Sequence, residues 1–182
     1  MNGKTLFTEF RPALRFLSIF VGVYLLGNVF YGLYVEFYKP APDPATVWVS
    51  EQTAFVLNLV GGGVYSVESE GEPTVLLKNN DKTVLRIFEG CNGLNVMVVF
   101  LAFVVAFGGK PKKELLFIVA GLFVLHLSNL VRIILLYYTA IHQPHFFYYF
   151  HKYFFTAILY LVVFVLWFQW TRMKPKHDSV KA

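Results

Sequence analysis

The sequence is poor in charge and nearly without cysteine. Asp, Glu, Lys and Arg supply 15% of its 182 residues while 57% are hydrophobic, against roughly 25% charged in an ordinary soluble domain. That balance argues against a water-soluble globule. Cys91 is the one cysteine, which excludes an internal disulfide and a Cys-rich metal site and leaves its sulfur to act as thiol or thiolate. The 16 Lys and Arg give a formal net charge of +5. They form no dense basic face, so nucleic acid is not expected as a partner. Internal repeats and low-complexity tracts are missing, and one domain is expected at this length.

What is present is apolar length. Phe16–Val35, Gly90–Gly109, Leu115–Val131 and Tyr153–Thr171 contain no Asp, Glu, Lys or Arg, and each approaches the ~20 residues that carry a helix across ~30 Å of hydrocarbon. They predict an all-α integral membrane protein of about four transmembrane helices in a bundle, at 16–37, 90–109, 115–138 and 153–171. The first run is too long for a secretory signal and no small-x-small cleavage site follows it, so it reads as a retained anchor.

Orientation follows from the cations. Lys4, Arg11, Arg15, Lys110, Lys112, Lys113 and the 172–182 tail with Arg172, Lys174, Lys176 and Lys181 fall on one side. Fewer fall on the other: Lys39, Lys78, Lys82, Arg86 and Lys152. Both termini are therefore expected in the cytoplasm. Residues 38–89 then form a small extracytoplasmic excursion and 139–152 an aromatic outer loop. In the excursion, Asp43-Pro44 marks a helix start, Thr46–Val60 a short surface helix ended by Gly61, Gly62 and Gly63, and Val75–Leu77 with Thr83–Phe88 a β-hairpin around Asn79, Asn80 and Asp81.

This topology gathers groups that are distant in sequence. Cys91 opens a span descending from outside. Arg132 lies 17 residues beyond Leu115 on a rising span, ~26 Å along a helix axis at 1.5 Å per residue, and His151 precedes the last descending span. All three belong at the outer boundary. In the first turn of a helix Cys91 would see unpaired backbone N–H groups, which favour thiolate. A guanidinium in a span costs at least ~2.5 kcal/mol on insertion scales and needs a partner. Asn129 and His126 continue a polar strip below it. Mid-span, His126 reads as a hydrogen-bonded packing residue rather than a catalyst. Asn92, Asn95 and Asn129 are candidates to orient the reactive groups, and Gly93 to permit close helix packing. His142, His145 and His151 have neither metal-ligand spacing nor an acid among them, and neither metal nor cofactor is expected. Thiol, imidazole and guanidinium together point to acyl transfer: sulfur attacks a peptide carbonyl, histidine moves protons, and arginine stabilises negative charge.

Three motifs in this order, Glu89 to Gly93 with its cysteine opening a span, Asn129 to Ile133, and a histidine before the final span, resemble the exosortase and archaeosortase family of membrane transpeptidases. The resemblance covers roughly 89–170, the family's catalytic core alone. It implies a cysteine protease or transpeptidase of the bacterial cytoplasmic membrane with its active site on the extracytoplasmic side. Its implied substrate is a membrane-anchored exported protein with a C-terminal sorting signal: a short motif, a hydrophobic helix and a basic cluster. Carried over, Cys91 is the nucleophile, Arg132 the second catalytic residue and His151 the third, with His145 competing for that last place. Where many members have Cys-Ser-Gly, this chain has Cys91, Asn92 and Gly93, which keeps the thiol and alters its surroundings. Two other classes compete. A membrane assembly or chaperone subunit would use the polar strip to dock a partner helix. A small transporter would spread its charged groups through the membrane depth, whereas here they crowd one boundary.

Overall fold

A computed structural model describes residues 3–173, with side chains from Phe10 onward. The Lys4 side chain, and the tail beyond residue 173 with Lys174, Lys176 and Lys181, lie outside what the structure describes. The elements run α1 (Gly3–Tyr38), α2 (Pro44–Leu59), strands β1 (Val64–Glu68), β2 (Thr74–Asn79) and β3 (Lys82–Phe88), α3 (Leu94–Phe107), α4 (Pro111–His142), a short α5 (Phe147–Tyr149) and α6 (Phe155–Met173).

Among the described residues, three helical stretches are long and apolar enough to cross a membrane: Phe10–Tyr38, Pro111–His142 and Pro144–Met173. The expected second span is shorter than its apolar run. Gly93 at φ +82° and Gly108 at φ +68° bound a helix of 14 residues, which rises ~21 Å. The expected aromatic loop is largely helical, because α4 continues to His142 and Pro144 starts a new series of helical turns that leads into α6. A run of Phe and Tyr without glycine gives the backbone no reason to leave helical geometry.

The excursion begins as its cap residues dictate. Asp43 accepts the Thr46 N–H at 3.0 Å, with Pro44 in the first turn, and Gly61 at φ +80° follows the helix end. The hairpin expected around Asn80 and Asp81 is present, both residues in the left-handed region that a two-residue turn of this kind requires. It belongs to a larger antiparallel meander, β1-β2-β3. Strand β1 escaped the sequence because Val64–Glu68 is a short edge strand that buries one residue, Val64, and leaves the rest exposed or half-buried.

Two cores result. Beneath the sheet, Val64, Leu77, Leu85 and Ile87 pack with Val49, Ala54 and Leu57 of α2 and with Ile133, Leu136 and Tyr137 of α4. Cys91 and Phe155 belong to this cluster. Further along the bundle, Phe100, Val104, Phe117, Leu125, Val163, Leu166 and Trp170 join α3, α4 and α6. Gly121 lets α3 and α4 close: a Cβ there would stand 2.2 Å from the Phe100 ring. Helix α1 packs chiefly on α3, and its exposed Leu25, Leu26, Val29, Phe30 and Leu33 present an apolar surface suited to lipid.

Candidate active site

The sheet delivers Cys91 to the end of α3. Strand β3 runs into a single 3-10 turn, Glu89–Cys91. Asn92 Oδ1 then accepts the Leu94 N–H at 3.0 Å, one of the orphan donors at the start of a helix. Gly93 is required twice over. Its φ of +82° suits glycine, and a Cβ would stand 3.0 Å from Asn129 Cγ.

Into that space α4 places an amide that touches both reactive groups. Asn129 Nδ2 donates to the Cys91 carbonyl at 2.9 Å, and Asn129 Oδ1 accepts from Arg132 Nη1 at 3.3 Å. Arg132 is 9% exposed. Its Nε has no hydrogen-bond partner, and among the described residues no carboxylate forms an ion pair with it. The positive charge of its guanidinium lies near enough to Cys91 to favour the ionised form of the sulfur.

His151 stands beside the sulfur, with Nε2 3.8 Å from Cys91 Sγ. It sits in a π-helical turn, Phe150–Phe154, a wide turn found often at functional sites. Thr156 Oγ1 donates to the His151 carbonyl five residues back at 3.2 Å. Phe147 stacks on the imidazole with centroids 5.8 Å apart, and Phe88 tilts against it at 6.5 Å. Phe88 also lies over Gly90, where a Cβ would meet its ring at 2.6 Å.

Cys91 itself is 4% exposed, and burial pushes its thiol up from the ordinary value, against the opposing pull of Arg132 and the Phe88 backbone. The expected helix-terminus activation is therefore corrected. Cys91 precedes α3 by a turn instead of occupying its first turn, and desolvation of the charged form outweighs the neighbours that favour it.

The remaining candidates separate cleanly. Asn92 turns away from the sulfur, its Nδ2 3.4 Å from both Asp43 Oδ1 and Thr46 Oγ1. Asn95 is exposed and makes no side-chain hydrogen bond among the described residues. His145 and His142 are exposed, and His142 Nδ1 lies 3.0 Å from the Tyr138 carbonyl of its own helix. His126 contacts Gln52 Oε1 at 2.7 Å and stacks on Trp48 at 4.7 Å, joining α4 to α2. Sequence reasoning missed the support beneath the cysteine turn. Tyr31 of α1 donates to the Glu89 carbonyl at 2.7 Å, and the buried Asp43 and Thr46 hold Asn92 from α2. Asp43 was legible only as a helix cap, because its second task joins residues 49 positions apart.

No curated protein and no solved structure matches the chain. The family model for transmembrane exosortase (Exosortase_EpsH) matches residues 6–172. That match takes in the membrane helices, the sheet and all three converging side chains, and the chain belongs to the transmembrane exosortase family.

Proposed function

We propose that this protein is a membrane-embedded cysteine protease or transpeptidase that cleaves a C-terminal sorting signal from exported proteins at the outer face of the cytoplasmic membrane. The single observation that carries the reading is the Cys91 thiol with the His151 imidazole 3.8 Å away and, nearby, a buried guanidinium that has no carboxylate partner among the described residues.

The chemistry follows from the neutral resting thiol. His151 Nε2 accepts the Cys91 proton as Sγ adds to the scissile carbonyl carbon. The carbonyl electron pair moves onto oxygen, and Arg132 stabilises the negative charge as it passes from sulfur to oxyanion. Collapse expels the amine, which takes the proton back from His151, and leaves a thioester on Cys91. Water or another nucleophile then attacks the thioester, giving its proton to His151, and the thiol is restored. Asn129 positions Arg132 and the Cys91 backbone, and Asn92 fixes the turn that carries the sulfur. Low resting thiolate suits an enzyme at a wet boundary, because a nucleophile made only alongside its substrate is protected from side reactions.

The test compares C-termini of exported proteins by mass spectrometry in cells carrying wild type or Cys91→Ala, with membrane levels of both proteins measured. Expected is at least one protein whose hydrophobic tail persists only in the variant. Full processing by Cys91→Ala would reject the mechanism.

A further inference from the structure

At the end of the bundle opposite Cys91, a cleft of about 1570 Å³ opens between α1 and the 108–110 connection. Its origin is the shortness of α3. The Phe16 ring meets Phe103 and Phe107 edge-on at 5.6 and 6.5 Å, so Phe16 is level with the last turn of α3. Helix α1 begins at Gly3 and therefore overhangs that end by more than three turns.

The lining of the cleft is divided by chemistry. Arg11 and Arg15, one turn apart on the overhang, and Lys110 at the start of α4 supply exposed cations. Among the described residues none of the three has a carboxylate within ion-pair distance. Glu114 stands near Gly109 at the same end of the bundle. Phe16, Ile19 and Phe103 give the inner wall an apolar surface.

We infer that this cleft binds one anionic phospholipid of the leaflet opposite the active site, its phosphate among Arg11, Arg15 and Lys110 and an acyl chain along Phe16, Ile19 and Phe103. A free phosphate would satisfy the cations and leave the apolar wall unfilled, whereas a lipid covers both. Cations close to an anionic headgroup add attraction one by one, and guanidinium forks match phosphate oxygens in pairs. The inference is independent of the chemistry at Cys91.

The experiment uses the full chain, purified in detergent and titrated with phosphatidylglycerol, with phosphatidylcholine, or with inorganic phosphate, and read by native mass spectrometry. Arg11→Gln/Arg15→Gln/Lys110→Gln is compared with Lys112→Gln/Lys113→Gln/Arg172→Gln, which removes the same charge outside the cleft. Expected is one retained phosphatidylglycerol on wild type and on the control variant, with affinity lower by on the order of tenfold or more in the cleft variant. A thermal midpoint equal to wild type in phosphatidylcholine shows that the cleft variant is folded, and a conservative Arg11→Lys/Arg15→Lys variant replaces it if it is not. Equal loss in both charge variants, equal retention of phosphatidylcholine, or full displacement by inorganic phosphate overturns the inference.

Discussion

Replacing Asn129 with alanine removes two hydrogen bonds at once and separates two roles of the site. The Cys91 carbonyl loses its 2.9 Å donor and Arg132 Nη1 its 3.3 Å acceptor. Each buried group left unpaired costs about 1–3 kcal/mol, and Arg132 already carries an unsatisfied Nε. If one well-aligned, charge-assisted contact to the transition state is lost as the guanidinium relaxes, about 1.5–3 kcal/mol disappears from catalysis, a rate loss of roughly ten- to a hundredfold. Asn129→Asp sharpens the test. It keeps an acceptor for Arg132 and nearly the same volume beside Gly93, yet turns a second oxygen toward the Cys91 carbonyl and ties the guanidinium into an ion pair. The aspartate variant should fold and turn over more slowly than the alanine variant. The assay is single-turnover formation of the cleaved C-terminus from a purified substrate in nanodiscs, normalised to folded enzyme. Wild-type rates in Asn129→Ala, or in Asn129→Asp, would refute the positioning argument.

Two further outcomes follow from the same geometry. Arg132 opposes the burial that raises the Cys91 thiol, so Arg132→Gln removes a charge that favours thiolate and should move the pH profile of Cys91 alkylation by iodoacetamide to higher pH; an unmoved or lowered profile contradicts the electrostatic role. Gly121→Val should destabilise the α3–α4 contact by about 1–3 kcal/mol, since its Cβ would overlap a fully buried Phe100 ring. The thermal midpoint should fall while the cleavage rate per folded molecule stays near wild type, and an unchanged midpoint would show that the two helices can part without cost.

The sequence carried most of what composition and local chemistry determine. Apolar length announced the membrane helices, Asp43-Pro44 the start of α2, and Asn80 and Asp81 the turn between β2 and β3. Cys91 and His151 do meet, with Arg132 near them, as helical rise converts residue counts into height along the bundle. Azimuth was out of reach. Nothing in Phe150–Phe154 signals a wide turn, yet that turn accompanies the approach of His151 to the sulfur while His145, six residues away, remains exposed. The thiol environment was misjudged for a related reason. Whether a cysteine starts a helix or sits one turn above it is decided by Gly93 and Asn129 packing together across 36 positions, a long-range fit that local patterning does not encode.

Arg132 is the residue whose surroundings most constrain the chemistry. A buried guanidinium is costly, and stable interiors normally match it with a carboxylate and saturate its donors. Here its hydrogen bond goes to an amide oxygen, the nearby Cys91 feels its charge, and Nε is left over. Had an acid stood in the position of Asn129, the resting protein would hold its arginine more firmly, but the positive charge would already be spent when negative charge develops on sulfur and then on oxygen. An amide fixes the direction of the guanidinium without neutralising it. The same reasoning accounts for the neutral thiol. A permanent thiolate–guanidinium pair would satisfy both partners in the ground state and stabilise the reactant as much as the transition state, which lowers no barrier. In the proposed mechanism, keeping the proton on sulfur until His151 removes it reserves the attraction of Arg132 for the step that needs it. Under this reading the cost of an under-satisfied arginine falls on folding, and the sheet, α2 and the Tyr31 contact hold the cysteine turn in place against it.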